Sequence, residues 1–471
     1  MKYNPVPRPD RTVIVKNNGY QYVYLTQCVK YSPRLKRSVP SRVSIGKLDE
    51  NGMLIPNKKY FELFPDSNGL DELGDRADFI SIGPHLVVDK ISNQLSLYSL
   101  LETVFHDKAD KILDIATYMI MSENNVMQYF DDYGYGHSLF NKANFTDSTI
   151  GKLLGSLTVC QMDLFIRSWV TMQNKDGIYV SYDSSNMNTV AGSLTLAEYG
   201  HAKDNTDLPQ VNLSIGYNQT DKVPMFYEIY PGSIIDNTEC QKMVERAKSY
   251  GCKDVGFILD RGYFSIENIK YFEKHDYDYI LMTKGNAAFI TKSTEESVAL
   301  LKEGYQYYME DYELYGKTIE KELFHTGKKQ YIHIYYDGIA AEREKIIINQ
   351  RFHKLDQQLE EKKNQIIKRQ EDVAGYKKYY RLKFDENGYF QSYKRKDKEI
   401  KELINRAGFF AIITSRKMSA SQALEIYRDR DAIEKVFRME KTYLGNDVFR
   451  VHLDEHLESK VFISFIALII R

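Results

Sequence analysis

Four polar side chains lie on one face of a predicted helix near the end of the sequence. The stretch YRDRDAIEKVFRMEK, residues 427–441, contains Tyr427, Arg430, Glu434 and Lys441. With a rotation of about 100° per residue, these four fall within a stripe about 60° wide. Apolar residues lie beside the stripe, so the helix would bury one face and hold the polar residues at the rim of the contact. Such a rim is a suitable place for a site.

Two aspartates follow predicted strands and supply further carboxylates. Asp183 follows GIYVSY, and Asp260 follows VGFIL. Taken alone, an acid after a strand more often caps a turn or a helix. Together with Glu434, however, three carboxylates from separate segments match the oxygen ligands that Mg²⁺ prefers. Two such ions about 3.5–4 Å apart can activate an attacking oxygen and stabilise a leaving oxygen in phosphodiester cleavage.

The other three side chains of the stripe fit a phosphate-containing substrate. Arg430 would bind a phosphate with its planar fork, and Lys441 as a point charge. Tyr427 would stack on a base or donate to a phosphate oxygen. The plain alternative is a solvated helix face with incidental ion pairs. That alternative leaves the two aspartates unexplained.

A second cationic group lies in the N-terminal part of the chain. The stretch KYSPRLKRSVPSR, residues 30–42, contains Arg34, Lys36, Arg37 and Arg42 and no acidic residue. A solvated loop and a phosphate-binding patch explain it equally well. These four residues are therefore candidate contacts to the phosphates of a nucleic acid.

Bulk composition limits the classes of function. The 471-residue chain has a net charge of −1, so nucleic-acid binding must rest on local patches. Its cysteines lack zinc-ligand or redox spacing and are expected to be reduced, buried thiols. The N-terminus has no apolar signal core, and the longest apolar run, VFISFIALII, is too short to span a bilayer. We therefore expect a cytoplasmic protein with no membrane partner.

The pattern of apolar residues predicts an α/β protein with several parts. Strand patterns followed by alternating strands and helices favour a mixed sheet. Leu355, Leu359, Ile366 and Val373 repeat at coiled-coil intervals. The predicted parts are a β-rich unit at 1–95, a helical segment at 96–174, the core at 175–297, an insertion with strands and coiled-coil-like helices at 298–407, and the rest of the core at 408–471.

The spacing of the stripe resembles a known signature. Tyr427, two residues, Arg430, three residues, Glu434, six residues and Lys441 is similar to the YREK pattern of DDE transposases encoded by bacterial insertion sequences. Residues 200–239 resemble the block after that family's first acid, and ILDRGYFS, residues 258–265, resembles the block around its second. One departure is Gly232-Ser233, where the family usually has Gly-Asn.

The resemblance implies a fold, a site and an activity. The fold would be an RNase H-like mixed-sheet core with an insertion before the last acid. Asp183, Asp260 and Glu434 would be the catalytic acids and would hold Mg²⁺, with Mn²⁺ as the alternative ion. The protein would cleave and transfer strands at the ends of its own element. Its partners would be double-stranded DNA, as terminal inverted repeats and target, and a second copy in a paired-end homodimer.

Two other functions remain open. A catalytically silent DNA-binding or scaffolding protein derived from a transposase would be expected to have lost one of the acids, and this chain keeps all three. A non-transposing nuclease on the same fold would use the same two-metal chemistry, so only its products would separate it from a transposase.

The end of the chain carries one further expectation. HLESKVFISFIALIIR, residues 456–471, has a helical pattern that ends without a Gly or Asn cap or a following Pro. Family members generally continue past this point. We therefore expect a truncated copy whose last helix exposes an apolar patch and favours association.

Overall fold

The computed structural model describes most of the chain. The described residues are 5–17, 20–32, 36–65, 79–173, 178–200, 207–234, 236–252, 255–284, 288–324, 327–363, 374–388 and 390–471. The chain folds as two compact units, residues 1–80 and 81–471. The finer division into five parts stays a prediction.

The first unit is a four-stranded antiparallel sheet with one short helix. Its elements are β1 (Thr12–Asn17), β2 (Tyr20–Ser32), β3 (Arg37–Leu48), β4 (Leu54–Pro56) and α1 (Lys58–Leu63). The strand order is β1-β2-β3-β4. Alternating apolar residues place Val23, Ile45, Leu54 and Tyr60 in one small core. The sequence predicts a β-rich unit with the wider bounds 1–95, and that domain assignment stays a prediction.

The second unit begins with a layer of helices. They are α2 (Gly83–Gln94), α3 (Leu97–Phe105), α4 (Ala109–Ser122), α5 (Phe130–Gly136), α6 (Asp147–Leu154) and α7 (Val159–Gln173). Apolar residues at three- and four-residue intervals bury one face of each longer helix. No single described helix has the length and apolarity of a membrane span, and the pair α6 and α7, bent by 79°, meets that test only together.

A large mixed sheet with flanking helices follows. Its elements are β5 (Tyr179–Thr189), β6 (Gln210–Asn218), β7 (Val223–Pro231), α8 (Asp236–Ser249), β8 (Gly256–Leu259), α9 (Ile266–Lys274), β9 (Asp278–Met282), α10 (Ala288–Glu303), β10 (Tyr308–Met309), β11 (Leu314–Lys321), β12 (Gln330–Tyr336), α11 (Gly338–Glu361), α12 (Ala374–Lys377), β13 (Tyr380–Phe384), β14 (Phe390–Arg395), α13 (Asp397–Asn405), β15 (Phe409–Thr414), α14 (Ala420–Arg428), α15 (Asp431–Arg438), β16 (Val448–Phe449) and α16 (Asp454–Ile470).

Five strands of this sheet form the RNase H-like core. β7, β6 and β5 are antiparallel neighbours, and β5, β8 and β9 are parallel neighbours. The parallel connections need crossovers, which α8 and α9 provide. Every residue of β8 is buried, as expected for a parallel strand covered on both faces. The predicted fold class is confirmed.

The predicted insertion is partly built into the sheet. β15, which belongs to the predicted second part of the core, pairs with β9, and the insertion strands β12, β11 and β10 continue the sheet from β15 in antiparallel pairs. Only α11, the β13–β14 hairpin and α13 form a separate apolar cluster, around Phe352, Leu359, Tyr380 and Phe390. Pairing between strands distant in sequence is not visible in a local pattern, which explains why the sequence reasoning did not place these strands in the core sheet.

The coiled-coil pattern has a partner within the chain. Leu355 and Leu359 lie on α11 and pack in the cluster of the β13–β14 hairpin. Ile366 and Val373 lie outside the described residues. The helix therefore buries its described apolar face against its own hairpin.

The last helix contradicts the expectation of an exposed apolar end. Val461, Phe462, Phe465 and Ile466 are each at most 2% exposed, and α16 packs against α4, α6 and β7. A helix that is apolar all round is typical of a buried position. Elements earlier in the chain cover it, so the expected apolar patch is wrong.

The cysteines differ in their exposure. Cys240 and Cys252 are buried, and burial raises the pKa of Cys252 to about 12. Cys28 and Cys160 are exposed, which corrects the expectation that all four are buried. All four are free thiols.

Candidate active site

The signature stretch is not one helix, which corrects the sequence prediction. α14 ends at Arg428, α15 begins at Asp431, and Met439–Tyr443 is a π-helical turn. Arg430 lies at the junction as the residue before α15, with φ −57° and ψ −21°. Aspartate is unfavourable inside a helix and favourable in its first turn, so the Asp-Arg-Asp sequence is consistent with a break there. The polar residues therefore come from three helical pieces.

The two aspartates lie at the same level of neighbouring strands. Asp183 is in the middle of β5 rather than after it, which corrects the prediction that it follows a strand. Asp260 directly follows β8, as predicted. β5 and β8 are parallel, and Tyr182 lies opposite Leu259. Because neighbouring strands are about 4.8 Å apart, the next residues of the two strands are brought close together.

Arg430 joins the first aspartate to the glutamate. Its Nη1 donates to Asp183 Oδ2 at 3.0 Å, and its Nη2 donates to Glu434 Oε1 at 2.8 Å. The Arg430 side chain is 11% exposed, whereas that of Glu434 is 56% exposed. One guanidinium thus neutralises two of the three predicted acids at the rim of the sheet.

Tyr427 contacts the second aspartate. Its hydroxyl donates to Asp260 Oδ1 at 3.2 Å and lies 3.5 Å from Met282 Sδ. The Arg430 guanidinium lies over the Tyr427 ring, 5.7 Å from its centroid. The sequence reasoning did not find Met282, because an apolar residue on a buried strand gives no chemical signal. The five side chains Asp183, Asp260, Tyr427, Arg430 and Glu434, which we call the acid cluster, therefore form one connected group.

Burial and charge set the protonation states of two members. Burial and the nearby Asp260 carboxylate raise the pKa of Tyr427 well above 10, so its hydroxyl remains a donor. Burial alone would lower the pKa of Arg430, but Tyr427 and the surrounding carboxylates raise it on balance. Arg430 therefore stays cationic.

The other predicted contacts lie elsewhere. Lys441 is half-buried in the π-helical turn. In the N-terminal unit, Lys36, Arg37 and Arg42 are exposed. Arg37 and Arg42 point to opposite faces of β3 because side chains alternate along a strand. Arg34 lies outside the described residues.

The donor set of the acid cluster suits a hard divalent cation, although its present arrangement does not enclose one. Asp183, Asp260 and Glu434 offer carboxylate oxygens alone, which is the chemistry of a magnesium site. Within the described parts of the chain, no three acidic, histidine or cysteine side chains lie close enough to hold a single ion. Arg430 takes the bridging position between Asp183 and Glu434.

A cavity beside α15 was not anticipated from the sequence. Its volume is about 690 Å³, and its lining includes Lys222, Arg428, Lys435 and Arg471. Arg428 and Lys435 lie in the signature stretch, but Lys222 and Arg471 come from distant segments, so no short sequence window reveals all four together. The three acids do not contribute to its described lining.

Comparisons with known proteins place the second unit in context. Residues 180–470, more than half of the chain, match the model of a family described as the transposase DDE domain. The matched range includes all three predicted acids. No curated protein matches the chain in sequence.

Two solved structures show a distant likeness. One is a piggyBac transposase synaptic complex with hairpin DNA, with 10% identity and a TM-score of 0.34, covering 69% of this chain and 53% of that one. The other is a Mos1 transposase paired-end complex with the left transposon end, with 13% identity and a TM-score of 0.17, covering 33% of this chain and 57% of that one. The chain thus spans little more than half the length of the solved chains that it matches.

Proposed function

The chain belongs to the transposase DDE-domain family, and we propose that it cuts DNA at the ends of its own insertion sequence and joins the freed 3′ ends to target DNA. The observation that supports this most is the acid cluster. Asp183 and Asp260 lie on neighbouring strands; Arg430 connects Asp183 to Glu434 on α15, and Tyr427 on α14 donates to Asp260. The three acids are from distant parts of the sequence, and the fold links them through these two side chains.

The three carboxylates would hold divalent cations, Mg²⁺ or Mn²⁺. When bound, the ions would supply positive charge to the attacking and leaving oxygens of the phosphodiester. Of the two acids joined by Arg430, Glu434 has the more exposed side chain. Its carboxylate is therefore better placed than that of Asp183 to exchange Arg430 for an ion.

The remaining members of the acid cluster would act on the substrate and on the acids. Arg430 keeps its charge and presents a planar fork, so it would bind a phosphate once the acids are neutralised by another cation. Tyr427 remains a neutral donor and would orient Asp260 through the 3.2 Å hydrogen bond. Lys441, in the turn that follows α15, would contact the backbone near the cut.

The substrate would be double-stranded DNA: terminal inverted repeats and a target. Since the chain as a whole is nearly neutral, affinity would come from local cationic regions such as that around Lys36, Arg37 and Arg42. Two copies would pair two ends, and the protein would work in the cytoplasm on the bacterial nucleoid.

Cleavage of a labelled duplex by the purified chain tests the proposal. The probe is a duplex from either flank of the protein's own coding sequence, with Mg²⁺ present. We expect nicking and joined products from the wild type, and binding without cleavage from Asp183→Asn, Asp260→Asn and Glu434→Gln. Glu425→Gln, on the exposed side of α14, is the matched control and should cleave normally. Cleavage by all three acid variants would contradict the proposal, and cleavage without joining would identify a nuclease.

A further inference from the structure

The two longest strands of the N-terminal unit extend beyond its sheet. β2 has 13 residues and β3 has 12. β1 pairs with β2 only as far as Leu25, and β4 pairs with β3 only from Gly46. Farther out, Thr26–Ser32 pairs with Arg37–Arg42, and among the described residues no other strand joins them. We call this two-stranded part the ribbon.

The ribbon has two different faces. A register shift between Thr26 and Cys28 reverses the alternation of side chains at its base. Beyond that shift, Tyr31 and Arg42 lie on one face, and Lys30 and Arg37 lie on the other, as the pairs Tyr31–Ser38 and Lys30–Val39 require. All four side chains are exposed.

The charge of this region is one-sided. Residues 11–48 contain eight lysines and arginines and no aspartate or glutamate. The whole chain has 65 acidic residues in 471, about one in seven, so a stretch of this length would ordinarily hold about five. A protein with a net charge of −1 thus concentrates positive charge on the segment from β1 to β3, and Lys30, Arg37 and Arg42 place part of this charge on the ribbon. The partner that such a surface attracts is a polyanion.

The dimensions of the ribbon fit one groove of duplex DNA. Two strands about 4.8 Å apart, with side chains at each edge, match the major groove, which is about 12 Å wide and admits a two-stranded ribbon. The minor groove, about 6 Å wide, is too narrow. Seven residues of β2 extend about 23 Å, within one helical turn of DNA.

We propose that the ribbon enters the major groove of double-stranded DNA, with Lys30 and Arg37 directed at base edges and Tyr31 and Arg42 directed away from the groove floor. The proposal rests on the proposed function for the class of partner, DNA, and adds how that DNA is read. Arg37 is the main reading residue, because an arginine fork binds the N7 and O6 acceptors of guanine in the major groove.

Two arginines of one strand provide a matched test. Arg37 and Arg42 share residue type, strand and exposure but lie on opposite faces. Binding of the full chain to a fluorescent duplex from the flank of its own coding sequence is measured by anisotropy. Parallel duplexes carry 7-deazaguanine, which removes the N7 acceptor in the major groove, or inosine, which removes only the minor-groove amino group.

For the wild type, we expect 7-deazaguanine to weaken binding about 10-fold or more and inosine to have little effect. Arg37→Ala should bind all three duplexes equally, whereas Arg42→Ala should keep the preference. Equal behaviour of the two variants, or sensitivity to inosine alone, would overturn the ribbon assignment.

The same duplex incubated with Mg²⁺ separates this proposal from the proposed function. Cleavage by wild type together with unchanged binding by Arg37→Ala would reject the ribbon and keep the transposase activity. A ribbon-dependent preference without any cleavage would keep the ribbon and reject that activity.

Discussion

Two polar clusters include residues of the signature stretch, residues 427–441, and they differ in how deeply they are buried. The acid cluster lies at the rim of the sheet, and the side chain of Glu434 is 56% exposed. The second cluster, which we call the buried cluster, contains Asn125, Glu440, Asn446, Lys460 and Ser464, each at most 2% exposed. Glu440 lies only six residues after Glu434.

The buried cluster is closed by its own hydrogen bonds. Ser464 donates to Glu440 at 2.8 Å, Asn446 donates to Glu440 at 2.9 Å, and Asn125 donates to Asn446 at 2.7 Å. These contacts tie the π-helical turn to α16 and to the chain that follows α4. Burial raises the pKa of Glu440 to about 7 and lowers the pKa of Lys460 to about 7.

The contrast separates a chemical role from an architectural one. In the acid cluster, the Arg430 guanidinium contacts Asp183 and Glu434, the Tyr427 hydroxyl contacts Asp260, and the Glu434 carboxylate is exposed, so an external cation can reach it. In the buried cluster, the partners are internal and water has little access, so removal of one leaves another unsatisfied. We therefore expect substitutions in the acid cluster to affect activity, and substitutions in the buried cluster to affect stability.

The largest effect is expected for Glu434→Gln. The variant should lower the cleavage rate by about 10³-fold or more, because a carboxylate at the centre of the chemistry is lost. Its free energy of unfolding should change by less than about 1 kcal/mol, since an exposed ion pair contributes little. Single-turnover cleavage and urea unfolding measure the two quantities. A large loss of stability with near-normal cleavage would show that Glu434 stabilises the fold and is not needed for the reaction.

The next effect concerns Glu440→Ala. This variant removes the buried acceptor of the Asn446 and Ser464 hydrogen bonds, and we expect the free energy of unfolding to fall by about 2–5 kcal/mol. Ser464→Ala, which removes one donor to the same carboxylate, should cost about 1–2 kcal/mol. Urea unfolding of both variants provides the measurement. If Glu440→Ala is as stable as wild type, the buried cluster does not hold the turn to α16.

A pH series sharpens the same contrast. The pKa of Glu440 is higher in the folded than in the unfolded chain, so protonated Glu440 stabilises the fold. This stabilisation is complete below about pH 4.5 and is lost as the pH rises to about 7, by up to about 3 kcal/mol. The pKa of Lys460 is lower in the folded chain, so neutral Lys460 stabilises the fold. This stabilisation is complete above about pH 10.5 and is lost as the pH falls to about 7.

Glu440→Gln isolates the first of these titrations. The stability of wild type relative to Glu440→Gln should decrease between about pH 4.5 and 7, as measured by urea unfolding at several pH values. A difference between wild type and Glu440→Gln that stays constant with pH would contradict the burial of an ionisable Glu440.

The smallest effect is expected for Tyr427→Phe. It removes the hydroxyl that donates to Asp260 but keeps the ring under Arg430. We expect about a 10-fold loss of cleavage and a change in stability of about 1 kcal/mol. A variant as active as wild type would show that Asp260 is positioned without this hydrogen bond.

The sequence predicted the fold class, whereas the catalytic roles assigned to the acid cluster stay predictions. Helical spacing and strand ends brought Arg430, Glu434 and Asp260 to one place, because these patterns are local. The Asp-Arg-Asp sequence is consistent with the break at Arg430, whereas the mid-strand position of Asp183 depends on the pairing of β5 with β6 and β8, which no local pattern records. The burial of α16 and the addition of β10–β12 to the sheet depend on contacts between distant segments. Likewise, the spacing that suggests phosphate contact for Arg430 does not reveal that it joins two carboxylates.

Binding of Mn²⁺ by the protein without DNA is the most direct test of the central claim that the acid cluster is the ion-binding site. Electron paramagnetic resonance of free Mn²⁺ can be followed during titration with wild type, Asp183→Asn, Glu434→Gln and Glu440→Gln. We expect saturable Mn²⁺ binding by wild type and Glu440→Gln, and Mn²⁺ binding weakened about 10-fold or more in the Asp183 and Glu434 variants. Equal binding by all four proteins would contradict it.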